Sequence, residues 1–129
     1  MNRKTLSGKT SFQKQVNSFR YAFQGIWFMI KSENHFRIHL IILVMVVIAG
    51  ILFHLSTNEW VWIILVSGAV LSAETMNSSI EQLTDLVHPH KGEKAARIKD
   101  LAAGAVLLSA IAAAIAGVII FAPKILALL

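Results

Sequence analysis

Cysteine is absent from the 129 residues. That rules out a disulfide, a thiolate zinc site and a catalytic thiol, and it leaves the redox compartment undetermined. Charge is also scarce. Charged residues make up 15% of the chain against 56% hydrophobic, and the apolar residues gather in long blocks. This composition belongs to an integral membrane protein rather than a soluble globule. Proline occurs only at 89 and 123, and each is read as a helix end. No short basic start followed by an apolar core and a small-residue cleavage site is visible. The first membrane helix is therefore expected to stay in the mature protein. The "GKT" at 8–10 ends like a phosphate-binding loop, but that loop needs a glycine where Arg3 stands, and a strand before it. It is excluded. There is no internal repeat and no low-complexity tract, and the length suits one domain spanning 1–129.

Residues 1–10 are polar and basic, an expected flexible tail. Over 11–31, Phe12, Val16, Phe19, Phe23, Ile26 and Ile30 recur in steps of four and three, with Trp27 beside them. Lys14, Arg20 and Lys31 interrupt this face. The pattern predicts an amphipathic helix in the membrane interface, rings in lipid and cations at headgroups. An ordinary bundle helix is the alternative. "SENHFRIH" (32–39) reads as a polar elbow. Membrane helices are predicted over about 38–55, 59–87 and 94–121, with "STNE" (56–59) as a tight turn and "HPHKGEKAARIK" (88–99) as a basic break. Pro123 is expected to end the last helix. That helix is rich in Ala and Gly, which lets helices approach closely in lipid. Seven of the twelve Lys/Arg lie in 1–37 and four in 91–99. The positive-inside rule then places the N-terminus and the 88–99 loop in the cytoplasm and the 56–59 turn outside. The predicted fold is an all-α membrane protein with one surface helix and three transmembrane helices.

The second membrane helix ends oddly. Its apolar part, 60–73, is too short to span alone, and it continues as "AETMNSSIEQLTDL" (73–86). At about 100° per residue, Asn77, Glu81 and Asp85 fall about 300°, 340° and 20° from Glu74. The four share one stripe, which needs neutralising cations. Lys99–Asp100 opens the next helix, antiparallel beside it, and Glu33 and Arg37 lie at the same membrane side. A hard ion such as Mg²⁺ is the other possible cation, taking one or two carboxylates and completing its shell with phosphates and water. Glu33 and Glu81 suit that. Glu74 is nearest the apolar core, where desolvation makes a carboxylate more basic. It suits a general base acting on a hydroxyl presented from lipid. A single acid here would read as a satisfied interfacial residue, but three acids with Asn77 on one stripe favour a site. His35, His39, His54, His88 and His90 read as border or loop residues, with no zinc-site spacing.

In these motifs the chain resembles the small bacterial integral-membrane lipid kinases, diacylglycerol kinase and undecaprenol kinase. "AETMNSSIEQLTDL" is similar to the family's E-x-x-N-[ST]-[AS]-I-E-x-x-x-D signature. "ARIKDLAAGAV" (96–106) and "FRYAFQGIWFMIKSENHFRIH" (19–39) follow its flanking patterns, and order and spacing agree over about 12–121. The resemblance implies a homotrimer with sites between subunits, transferring phosphate from MgATP to a lipid hydroxyl at the cytoplasmic face of the bacterial cell membrane. It implies Glu74 as base, Asn77 as an organising polar residue, and Glu33 and Glu81 as metal ligands. Lys99 would meet the phosphates and Asp100 the nucleoside side, while Lys14, Tyr21 and Gly25 match positions facing nucleotide. Asp85 fits the signature without an assigned role.

"HPH" after Asp85, "AAGAV" and "GVIIFAPK" (117–124) look closer to the undecaprenol branch, with diacylglycerol as the alternative acceptor. A small ion or proton transporter is the rival from another class, since an intramembrane Glu marks those proteins. It expects acids at mid-bilayer, whereas here a long apolar run precedes Glu74. A structural partner subunit would leave the acidic stripe unexplained.

Overall fold

The computed structural model describes residues 11–90 and 92–128. The tail at 1–10 with its "GKT" lies outside the described residues, as do Lys91 and Leu129. The fold is all-helical: α1 (Ser11–Ser32), α2 (Asn34–Leu52), α3 (Thr57–Val87) and α4 (Glu93–Leu126). The last three are long and apolar enough to cross a membrane. The chain divides into two compact units, Met1–Glu33 and Asn34–Leu129.

Within its described residues the first unit is essentially α1. Phe12, Phe19, Phe23 and Trp27 are exposed along it. Lys31 stands one turn beyond Trp27, and its Nζ lies 5.0 Å from the indole ring centre, a cation–π contact at the helix end.

In the second unit α3 packs mainly on α4 and less extensively on α2. The elbow predicted over 32–39 is mostly helix, because α2 already begins at Asn34. The Asn34 Oδ1 accepts from the Arg37 guanidinium one turn on, so Arg37 serves its own helix start rather than the acidic stripe. At the other end α2 stops at Leu52, short of the expected 55. His54 takes a left-handed conformation with φ 49°. Its N–H donates to Ile51 O at 3.2 Å, and that of Leu55 to Gly50 O at 3.0 Å. These bonds form a Schellman stop, normally built on glycine. Leu55 then enters the core with Ile63 and Ile120, against which Val46, Phe53, Trp60 and Phe121 pack. The Phe53 and Phe121 rings meet edge to face at 6.0 Å. Gly50 allows the closest approach: a Cβ there would lie 2.6 Å from the Trp60 ring.

"STNE" proves to be a capping box. The Ser56 N–H donates to Glu59 Oε2 at 2.7 Å, and the Glu59 N–H donates back to the Ser56 hydroxyl at 3.4 Å. The expected stop at Pro123 is overturned, since α4 runs through it to Leu126. Proline removes one N–H and crowds the preceding turn, but two anchors hold this end. Ile120 is buried in the core before the proline, and Lys124 Nζ reaches Glu59 at 3.0 Å after it.

At 1.5 Å per residue, the 31 residues of α3 extend about 46 Å, against about 30 Å of hydrocarbon in a bilayer. The helix is long enough to cross and still carry its acidic end beyond the apolar slab.

Candidate active site

α3 presents its polar residues in a graded row. Glu74 and Ser78 are 6% and 5% exposed, Asn77 and Glu81 are half-buried, and Asp85 is exposed. Along the expected stripe, Asn77 Nδ2 donates to Glu81 Oε1 at 3.1 Å, one turn on. That bond orients the Asn77 amide. Its buried Oδ1 accepts no hydrogen bond from any described residue. The nearby hydroxyls of Thr75 and Thr84 fold back on the carbonyls of Leu71 and Ile80, so they are satisfied within the helix.

Across the 88–92 break, Lys99 Nζ lies 2.5 Å from Asp85 Oδ1. The antiparallel return of α4 therefore does bring a cation to the acidic stripe, and Asp85 acquires a partner that the sequence did not assign. Asp100 is exposed beside it. An open cleft of about 480 Å³, lined by Asp85, His88, His90, Glu93 and Lys99 among others, adjoins this pair.

At the buried end, Glu74 Oε1 lies 4.0 Å from His39 Nε2 on α2. His39 also lines a partly open apolar cavity of about 290 Å³ between α2, α3 and α4, with Ile42, Val46, Val70, Ala114 and Gly117. The sequence marked His39 only as a border residue. The two groups lie on different helices, and no local spacing signals their meeting.

The remaining expected residues belong to the first unit. On α1, Lys14 is exposed, Tyr21 is half-buried and Gly25 is exposed, with open space where its Cβ would be. Glu33 follows the helix end, half-buried, with its N–H on Met29 O at 2.9 Å.

Among the described residues no three His, Asp or Glu side chains gather closely enough to hold a metal by themselves. The donors at Asn77–Glu81 are nevertheless all oxygen, and one of them, Asn77 Oδ1, is buried without a partner. This donor set fits a hard divalent ion that takes most of its shell from phosphates and water.

Residues 20–121 match the family described as prokaryotic diacylglycerol kinase. The chain is 39% identical over 116 residues to undecaprenol kinase of Bacillus subtilis (strain 168), covering 90% of this chain and 94% of that protein. It is also 39% identical over 113 residues to diacylglycerol kinase of Synechocystis sp. (strain ATCC 27184 / PCC 6803 / Kazusa), covering 87% of this chain and 65% of that one.

Proposed function

Because the chain belongs to the prokaryotic diacylglycerol kinase family and is a lipid kinase drawing its phosphate from ATP, we propose that its acceptor is undecaprenol and that the α3 stripe is its active site. The observation that carries the site is the graded row itself. A buried Glu74 stands on the same helix face as the Asn77–Glu81 pair and the Asp85–Lys99 pair. One reactant is in lipid and the other in water, so a phosphoryl-transfer site between them needs a base on the apolar side and phosphate neutralisation on the wet side.

In this reading Glu74 takes the proton of the lipid hydroxyl as that oxygen attacks the γ-phosphorus. The bond to the bridging oxygen breaks and ADP leaves with the electron pair. Lys99 balances phosphate charge, and Asp100 holds the nucleoside side. Glu81, oriented by Asn77, would hold Mg²⁺, with Glu33 the other expected ligand. Such an ion would supply neutralisation of phosphate charge during transfer.

Helix geometry supports a two-faced α1 and takes Lys14 off the aromatic face that it was expected to interrupt. At about 100° per residue, Tyr21 and Gly25 fall about 340° and 20° from Lys14, while Phe12, Phe19 and Phe23 fall about 160°, 140° and 180° from it. One face takes nucleotide and the opposite face lies in lipid, as for an amphipathic interfacial helix. The assembly is a homotrimer in the bacterial cell membrane with the N-terminus cytoplasmic, and the chain acts as a single kinase domain.

The choice of undecaprenol rests on coverage and motif. At equal identity the match reaches 94% of the undecaprenol kinase but 65% of the diacylglycerol kinase, and the "HPH" and "GVIIFAPK" stretches point the same way. Diacylglycerol is the alternative acceptor. Ion transport finds no support in either relative.

The test is purified protein in mixed micelles with labelled ATP and each lipid in turn. Label entering undecaprenol at least tenfold faster than diacylglycerol is expected, and the reverse order overturns the acceptor. Glu74→Gln should abolish turnover while leaving ATP binding largely intact. Equal loss of both would make Glu74 a ligand rather than a base.

A further inference from the structure

We propose that His39 is the positioning residue for Glu74, its imidazole holding the carboxylate toward the lipid end of the site. The proposal rests on the reading of Glu74 as the base.

Three observations meet at this point. His39 Nε2 lies 4.0 Å from Glu74 Oε1, with the two side chains 23% and 8% exposed. His39 also lines the apolar cavity of about 290 Å³, as does Val70, one turn before Glu74 on the same helix. The imidazole thus stands between an apolar cavity and a buried acid. And the two groups are carried by different transmembrane helices, so their separation is set by helix packing rather than by a mobile loop.

A buried carboxylate without a donor is costly. One that must also act as a base has to keep one oxygen toward its proton source. An Nε2–H donated to one oxygen of Glu74 does both, leaving the other oxygen to the hydroxyl. The separation is longer than a hydrogen bond, and a small side-chain rotation closes it. An apolar wall strengthens such a bond. The proton removed from the hydroxyl stays on Glu74 and leaves to water after product release, while His39 keeps its own throughout.

The experiment uses the full chain in mixed micelles. It measures kcat and KM for ATP and lipid in H39A, H39Q, E74Q and H39A/E74Q, with thermal midpoints to confirm folding. H39A should lower kcat roughly ten- to hundredfold with KM for ATP within about twofold, as expected for a group acting only on the base. H39Q keeps an N–H donor and should recover most of the loss. Because E74Q is inactive, the H39A/E74Q pair is read by its thermal midpoint, where H39A should cost less than it does beside Glu74.

H39A within about twofold of the wild-type kcat, while E74Q is inactive, overturns the inference and leaves Glu74 standing. H39Q as poor as H39A also overturns it. An active E74Q overturns the base assignment itself, and this inference with it. Should the His39 variants unfold, the ¹⁵N side-chain resonances of His39 in the wild type and in E74Q decide. A shift of Nε2 is expected, and superimposable signals overturn the contact.

Discussion

Glu74 and Asp85 share one helix face but sit in different surroundings, their side chains 8% and 64% exposed. The difference separates their chemistry. An exposed ion pair such as Asp85–Lys99 contributes about 0–1 kcal/mol. Asp85→Asn should therefore leave thermal stability nearly unchanged, while releasing Lys99 and shifting KM for ATP by no more than severalfold. Lys99→Ala, in contrast, should raise that KM at least tenfold, and steady-state kinetics on the pair of variants checks both. Glu81 occupies the middle ground, half-buried and held by Asn77. Glu81→Gln should steeply raise the Mg²⁺ concentration needed for half-maximal rate. An unchanged Mg²⁺ titration would remove Glu81 from the metal shell.

The helices owe their ends to specific caps. α2 closes on His54 in the left-handed region, a conformation costing roughly 1–2 kcal/mol for a residue with a Cβ. His54→Gly should accordingly raise stability by about 1 kcal/mol, read as a higher unfolding midpoint in detergent. Ser56→Ala removes the hydroxyl that caps α3 and should cost about 1 kcal/mol in the same measurement. Gly50→Ala sets a methyl against the Trp60 ring at 2.6 Å. The partly buried ring must shift from its place against the Leu55–Ile63–Ile120 core, so the midpoint should fall. These three positions surround one corner of the second unit, where the α2–α3 turn meets the end of α4. Lys124 closes that corner onto Glu59, which is why α4 outlasts its proline.

For the whole molecule, the exposed apolar side chains of α2, α3 and α4, among them Ile41, Met45, Leu65, Leu108 and Val118, must be covered by lipid or by further copies. If the chain assembles as the proposed homotrimer with sites shared between subunits, an inactive variant and a weakened one should complement each other. Mixing Glu74→Gln with Lys99→Ala chains before reassembly should restore a fraction of the wild-type rate if each site draws these two residues from different subunits. It should restore none if one chain supplies both.

Much of this protein follows from local rules acting on residue order. Three long, largely apolar helices, with every Lys and Arg but Lys124 kept to 1–37 and 91–99, mark three membrane spans. A helix turning about 100° per residue places Glu74, Asn77, Glu81 and Asp85 on one face whatever surrounds them, and the Asn77–Glu81 bond is that geometry made visible. The "AETMNSSIEQLTDL" motif likewise needs no docking to be read. The docking of helices decided the rest: Lys99 on Asp85, Lys124 on Glu59 beyond a proline that should have stopped the helix, and His39 beside Glu74. Backbone periodicity reaches only a few residues along a helix. A contact between helices depends on their relative rotation and depth, which packing at small residues such as Gly50 sets and linear order does not display.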